Sequence, residues 1–460
     1  MRTETREDGM SGEKLDVWFE DQLVGHVERR SNSVLDLAFR YDQSWIDSRS
    51  SFSISTTMPL FLKDHQPSVV YPWFLNLLPE GRALATVGSI LKVHEMDVFA
   101  ILGEMGRDLP GALDIRKSGI DVAERKPRYR RLSEKELAEV IRRLPERPML
   151  VGEDGAHMSA AGAQDKLPVV KYKDGSIGLA LDGAASTHIL KPRNTEFPAS
   201  VENEAFCLRL AAAVGLPAAK ASTGRVEAFD YLLVERYDRV TERRRVRRIH
   251  QEDLCQATGF APYLKYEWNK DVAQPGPGLK HCMDALTKTS AAVLSKLRFL
   301  DMMLFNVLCG NVDAHAKNYS ILIRPGEVSM APIYDVMNGD IYPGVTRNLA
   351  MKIAKKQRAA HIHGRHWDKF SEENGLSATA VRRRVAELSA ATLKVLPGVV
   401  KEMEASDLKS GVYTEIAEYV TYYCRQMISN LKTDPSPDDD ETEDHPGTPD
   451  EPSEESPIAP

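Results

Sequence analysis

The chain has 460 residues, 42% of them hydrophobic and 28% charged. That length and balance predict an ordinary soluble protein of two or three domains with cores large enough to need no staples. No apolar run approaches the roughly 18 residues of a membrane span, and the polar, acid-bearing start MRTETREDGMSGEK has neither a signal nor a transit pattern, so a cytoplasmic protein with no membrane partner is expected.

The formal net charge of −7 is unevenly placed: residues 433–460 hold eleven acidic residues and no Lys or Arg, leaving 60 basic against 56 acidic side chains in the body. A body at +4 tolerates an acidic partner or DNA without by itself predicting one. The five cysteines, Cys207, Cys255, Cys282, Cys309 and Cys424, are dispersed, form no CxxC pair and read as buried thiols.

After a flexible N-terminus (1–14), residues 15–118 read as a small mixed β/α domain. LDVWFEDQLVGHVER is a hairpin turning near Asp21-Gln22, and VLDLAFRYD is a further alternating strand. From Tyr71 the period becomes helical, with Phe74, Leu77, Leu78, Leu84 and Ile90 on one face, and MDVFAILGEMG is a second helix. The apolar patch Pro59-Leu60, Tyr71-Pro72 and Trp73-Phe74 reads as interdomain packing in preference to a separate ligand site.

Residues 119–148 read as a linker with a solvated basic run, ERKPRYRR, and a helix opened by the capping box Ser133–Glu136 and ending near Leu144. In the segment 149–237, HMSAAGAQDKLPVV puts small residues before a lysine and a strand. It is either a loop whose amides approach phosphate or an ordinary turn. STHILKPR places Lys191 at a strand end, and SVENEAFCLRLAAAVGL is an amphipathic helix with Glu204 in its first turn and Gly215 after its end. A strand lysine facing a helix glutamate is the pair that positions phosphates in kinases, although a solvent-facing lysine is the commoner use. FDYLLVERYDR is a strand whose end suits a hinge between two lobes, with main-chain groups of Glu235 to Tyr237 toward adenine.

Residues 238–432 form a largely helical body, preceding the tail 433–460, whose composition predicts disorder and a solubilising role. RVTERRRVRR carries six arginines in ten positions: a solvated hairpin tip, and also the chain's densest phosphate-attracting patch. IHQEDLCQATGF reads as a capped helix and YEWNKDVAQPGPGLK as a polar loop. An apolar helix from Ser290 to Cys309 then enters NVDAHAKN, a strand Tyr319 to Ile323, a Pro325-Gly326 turn and Asp335 behind the apolar run Met330 to Tyr334. Two carboxylates and an amide at the ends of buried elements suit magnesium-dependent phosphoryl transfer: one acid takes a hydroxyl proton, while the other and the amide oxygen hold metal against phosphate. TRNLAMKIAK closes with β structure, and SATAVRRRVAELSAATLKVL and TEIAEYVTYYCRQMISNL are helices.

Taken together, SAAGAQDK, STHILKP, ENEAFCLRLA, LLVERYDR, HQEDLCQA, NVDAHAKNYS and APIYDV, in this order, resemble the HipA family of serine/threonine-kinase toxins of bacterial type II toxin–antitoxin systems. The likeness covers nearly the whole chain before the tail. It implies an α/β (α+β) fold, a bilobal protein-kinase-like body with the small N-terminal domain fused to it, using ATP and Mg²⁺. It implies Asp313 as the catalytic acid of the DxHxKN string and Asn318 and Asp335 as magnesium ligands. Lys191 then contacts ATP phosphates, the loop Ala161, Gly162, Ala163, Gln164 and Lys166 cradles them, and His315 and Lys317 contact nucleotide or phosphate. Glu235 and Tyr237 meet adenine through the main chain, and Ser159 is the autophosphorylated, self-inactivating serine; the alternative for Ser159 is a plain turn residue.

The same resemblance implies a helix-turn-helix antitoxin of the HipB type, operator DNA reached through that complex, and a protein substrate in translation, for example an aminoacyl-tRNA synthetase. No GxGxxG, HRD or DFG string occurs, as expected for this family, and the resemblance assigns nothing to the tail or to Trp268–His281. Two other classes compete: a corepressor module with little kinase activity, and a kinase for a small molecule or lipid. Retention of Lys191, Asp313, Asn318 and Asp335 together argues against the first.

Overall fold

Alternating apolar residues build the first sheet. In the computed structural model, which describes residues 13–119, 127–242, 245–270 and 272–433, Leu15 and Val17 of β1 (Lys14–Phe19) point inward beside Val24 and Val27 of β2 (Gln22–Arg29). With β3 (Leu37–Tyr41), β4 (Asp64–His65) and β5 (Leu113–Lys117) they form an antiparallel sheet in the order β4-β3-β2-β1-β5. The expectations for residues 1–12 and 434–460 lie outside the described residues.

Over this sheet lie helices Pro67–Leu75, Gly81–Leu91 and Val98–Met105. The helical run expected from Tyr71 onward is two helices, because Pro79 cannot donate to a helical ladder and Gly81 adopts φ +55°. Asn76 and Glu80, on either side of Pro79, line the cleft described below.

The second sheet contains β6 (Arg128–Arg131), β7 (Leu167–Lys171), β8 (Ile177–Leu181), β9 (His188–Pro192), β10 (Ala221–Val226) and β11 (Phe229–Glu235), in the order β10-β11-β9-β7-β8-β6. Residues 128–131, expected within a linker, are instead its edge strand, paired with β8. All four of their side chains are exposed, so the strand carries no inward apolar alternation to read. The capping box at Ser133 and Glu136 opens helix Glu134–Arg143 as expected. Leu167 and Leu190 of this sheet belong to the same apolar core as Val17 and Leu37, so the N-terminal domain and this sheet are packed as one body. Helix Ser200–Ala213 follows β9, with Glu204 just past its first turn.

The helical half packs Ala292–Leu308, Gly364–Asn374, Ala378–Glu404 and Val412–Asn430 around Phe206, Phe299, Phe305, Trp367, Phe370 and Tyr413. Each such buried ring contributes roughly 1.5–3 kcal/mol relative to exposure. The arginine-rich run is a hairpin, β12 (Arg239–Glu242) with β13 (Arg245–Arg248), but only in part a solvated one: Arg239 is buried and, like Arg248, bonded to Asp108 of the N-terminal domain. The capped helix read in IHQEDLCQATGF is the single turn Leu254–Ala257, capped by Asp253 together with Gln256, and the residues before it are a strand, β14 (His250–Asp253). β14 pairs with β15 (Ser320–Arg324), which pairs with β16 (Glu327–Met330), and β17 (Asn348–Ile353) pairs with β18 (Lys356–Arg358).

The aromatic patch is interdomain packing: Trp73 Nε1 donates to Glu252 Oε2 at 3.0 Å, and Ser55 Oγ donates to the same carboxylate at 2.6 Å. All five cysteines are buried. Among the described residues no helix is long and apolar enough to cross a membrane.

Candidate active site

Lys191, one residue before the end of β9, pairs with Leu232 on β11, so its backbone is locked in the sheet while its side chain reaches toward helix Ser200–Ala213. There Lys191 Nζ donates to Glu204 at 2.7 and 3.0 Å, and to Asp335 Oδ1 at 2.6 Å. Burial alone would neutralise this lysine, but the two acids raise its pKa instead. Lys191 and Lys166 hold the Asp335 carboxyl well below its usual range against its own burial, while Glu204 is raised by burial. Asp335 adopts φ +57°, a left-handed conformation that costs a non-glycine residue about 1–2 kcal/mol. The segment before it is pinned by main-chain bonds from Ile333 N to Pro217 O and from Ala219 N to Ile333 O.

These groups line one cleft of about 1100 Å³ between the second sheet and the helical half, and every site residue singled out in the sequence borders it. Helix Ala292–Leu308 delivers the loop 311–318, which a buried amide chain fixes: Asn311 Nδ2 donates to Asn306 Oδ1, and Asn306 Nδ2 to Tyr319 Oη, both at 2.9 Å. Asp313 is exposed to the cleft and accepts a hydrogen bond from Tyr266 Oη. Asn318 Nδ2 donates to the Asp313 carbonyl at 2.8 Å, which leaves its amide oxygen for a cation. Tyr334 Oη donates to Lys317 O at 2.6 Å, tying the segment before Asp335 to this loop. Among the described residues no group of three or more His, Cys, Asp or Glu could cage a metal alone. One carboxylate and one amide oxygen beside a phosphate-sized cleft fit Mg²⁺, which keeps waters and takes the rest of its shell from phosphate.

His315 is buried, and burial pushes it down to about 4, so at neutral pH it is an uncharged imidazole. Lys317 borders the cleft but is held by protein groups. Its ammonium donates to Asn76 O at 3.1 Å, Asn76 Oδ1 at 2.6 Å and Asp253 Oδ2 at 2.9 Å. Three protons with three protein acceptors make it a clamp between the loop 311–318, the N-terminal domain and β14.

The phosphate-side loop rests on the N-terminal domain as well. Glu80 N donates to Gly162 O at 3.2 Å, and the buried Ser159 donates from Oγ to Leu77 O at 2.9 Å. Gly162 sits at φ +105°, where an added Cβ would lie 2.5 Å from Lys166 Nζ. Lys166 Nζ donates to Ala161 O at 2.7 Å and is pushed down to about 8 by burial. At the other end Glu235 and Tyr237 border the cleft where β11 turns into β12, next to Arg236 and Asp238, which face the N-terminal domain.

Asn76, Glu80, Lys265 and Tyr266 were not among the residues picked from sequence. Glu80 accepts from Lys265 at 2.8 Å and lies 3.9 Å from Lys317. The Pro79–Gly81 helix break was the one signal that could have drawn attention to Glu80.

Comparison with known proteins finds relatives along most of the chain. Residues 15–116 match the HipA N-terminal domain, and residues 158–396 match the HipA-like C-terminal domain. Y4mE of Sinorhizobium fredii, named only provisionally as a kinase, is 36% identical over 400 residues, covering 86% of this chain and 93% of its own length. The serine/threonine-protein kinase toxin HipA of Shewanella oneidensis is 30% identical over 437 residues, 91% of this chain and 95% of its own. A chain from the Shewanella oneidensis MR-1 complex of HipA, HipB and operator DNA superposes with a TM-score of 0.77 at 27% identity, covering 90% of this chain and 96% of that one. With both halves matched and the kinase-like cleft intact, this chain belongs to the HipA family.

Proposed function

We propose that this protein is an ATP- and Mg²⁺-dependent serine/threonine protein kinase and the toxin of a HipBA-like toxin–antitoxin module. The observation that carries the reading is Lys191 held at 2.7 Å from Glu204 and 2.6 Å from Asp335, in the cleft that also holds Asp313 and Asn318. The division that goes with it assigns 15–118 to the N-terminal domain, 149–237 to the phosphate-side lobe and 238–432 to the catalytic-loop lobe.

In this reading a substrate hydroxyl attacks the γ-phosphorus of ATP, the bond to the β,γ-bridging oxygen breaks, ADP leaves, and the hydroxyl proton passes to Asp313. Lys191 and Lys166 bind phosphate oxygens, and Gly162 lets the backbone approach them. Glu235 and Tyr237 hold adenine through the main chain, and His315 offers a neutral ring. Asn318 and Asp335 hold Mg²⁺, which neutralises charge on the phosphates.

Ser159 is the self-inactivating site. Its hydroxyl fills a buried seat against Leu77, so a phosphate bringing about −1.5 to −2 charges has to leave that seat and take the loop Ala161–Lys166 with it. The protein target belongs to translation, an aminoacyl-tRNA synthetase for example, and its modification arrests growth. A helix-turn-helix antitoxin of the HipB type is the partner, and operator DNA is reached through it. The complex of the Shewanella relative with HipB and operator DNA favours corepression as a second role of the same chain.

Incubated with Mg²⁺-ATP, the purified protein should gain one phosphate at Ser159, read by intact mass and peptide mapping. Asp313→Asn should remove both that gain and toxicity on expression. An unchanged wild-type mass would defeat the kinase reading, and a toxic Asp313→Asn protein would move the harm to binding.

A further inference from the structure

Three contacts strap the segment Lys265–Glu267 onto the catalytic loop. Ala316 N donates to Lys265 O at 3.2 Å, the Tyr266 ring packs edge-on against His315 with centroids 4.9 Å apart, and Tyr266 Oη donates to Asp313 Oδ1. The strap is itself built in. Lys265 is bound to Glu80 at 2.8 Å, Glu267 N donates to Ala350 O at 3.2 Å, and Lys352 N donates to Glu267 Oε2 at 2.6 Å. Its return limb approaches so closely that a Cβ on Gly276 would lie 1.8 Å from Leu264 O and 2.2 Å from Tyr266 O. Only glycine permits that closure.

Resting on the kinase reading above, we infer that Tyr266 is a positioning residue for Asp313: its hydroxyl occupies Oδ1 and turns Oδ2 toward the acceptor hydroxyl. The logic is that of a base oriented by a third group. Among the described residues no side chain donates to Oδ2, and Asp313 stands exposed in the cleft. Burial and the adjacent Asp313 carboxylate push the phenol well above its ordinary range, so it remains a proton donor throughout the working pH range. The strap's anchoring at Glu80, Ala316, Ala350 and Lys352 argues for a fixed support rather than a gate that swings away. Through Lys265 and Glu80 the N-terminal domain helps to hold that support.

Tyr266→Phe keeps the ring on His315 and removes only the hydroxyl. The rate of radiolabelled phosphate incorporation into the chain from Mg²⁺-ATP, at saturating ATP, should fall by about 10- to 100-fold, a fraction of what a general base contributes. The ATP concentration for half-maximal rate and the melting temperature should not move, and Tyr266→Phe should add nothing to the residual rate of Asp313→Asn. A rate within twofold of wild type would overturn the inference, and a faster variant would show that the phenol obstructs the acceptor site. If the wild-type protein incorporates no phosphate, the kinase reading falls and this inference with it; an active wild type matched by Tyr266→Phe removes the inference alone.

Discussion

Two clusters of buried charge lie within this molecule, and they differ in one respect that separates structure from chemistry. At the seam between the N-terminal domain and the segment from the end of β11 through β13, Asp108 meets Arg239 at 2.9 Å, Arg248 at 3.3 Å and Arg236 at 3.6 Å. Asp238 meets Arg236 at 2.8 Å and Arg239 at 3.0 Å. Arg236, Arg239, Asp108 and Asp238 are all within 5% of full burial, and Leu109 O and Gly111 O take further guanidinium protons. In the cleft, Lys191 and Glu204 are almost as buried, but the side chain of Asp335 is 37% exposed. Both clusters shift the pKa of their acids. Shifted titration alone therefore does not mark a functional site; a shifted group that opens onto a cavity does.

The comparison breaks if substitutions in the two clusters have the same consequence. Lys191→Met should lower phosphate incorporation by about 10²–10³-fold, as expected when one fixed cation is removed from developing charge. Its melting temperature should fall less than that of Asp108→Asn, because Asp335, whose side chain is 37% exposed, turns to solvent and only Glu204 is left buried without its partner. Asp108→Asn should do the reverse. It strands three arginines and should cost about 3–5 kcal/mol of stability, while incorporation per folded molecule is retained. The arginines hold Asp108 well below its ordinary range, so in acid the unfolded chain binds more protons than the folded one. The stability from Asp108 is therefore complete above about pH 4, the unfolded carboxylate range, and is lost as pH falls below it. Wild type should lose melting temperature in that acid range more steeply than Asp108→Asn, measured by thermal scans at stepped pH.

The cleft cluster was legible in sequence and the seam was not, for a physical reason. Lys191, Asp313, Asn318 and Asp335 each sit within a local string whose neighbours fix the element that carries them: a short apolar strand, a helix end, a buried run. Asp108, Arg236 and Asp238 acquire meaning only from contacts spanning some 127 residues, such as Gly111 N to Asp238 Oδ2. Glu80 in LLPEGR lies inside a run that reads as helical, and only folding brings it against Gly162 and Lys265. The two misread strands failed in opposite ways. Residues 128–131 expose all four side chains and so lack the period-2 signal, whereas β14 buries the polar residues His250, Glu252 and Asp253, so the cap that Asp253 supplies was legible and the strand before it was not. Lys317 was correctly placed in the loop, but its partners Asn76 and Asp253 come from two other segments, which local pattern does not reveal.

The smallest expected effect sharpens the contrast within one pH range. Lys166 is pushed down to about 8 by burial, so it is largely charged at pH 7 and neutral at pH 9. Losing that charge beside the loop Ala161–Gln164 should weaken ATP by roughly five- to tenfold, about 1 kcal/mol, with the midpoint near 8. Stability should not fall over the same interval. The unfolded lysine still binds its proton there while the folded one releases it, so this group favours folding more as pH rises through the window. The seam is silent across it, because even Arg239, pushed down by burial to about 10, keeps its proton at pH 9. Titration calorimetry with ATP at pH 7 and 9, beside thermal scans, reads both quantities. In Lys166→Arg the affinity step should vanish, since a guanidinium stays charged throughout. A step that persists in that variant would place the titrating group elsewhere in the cleft.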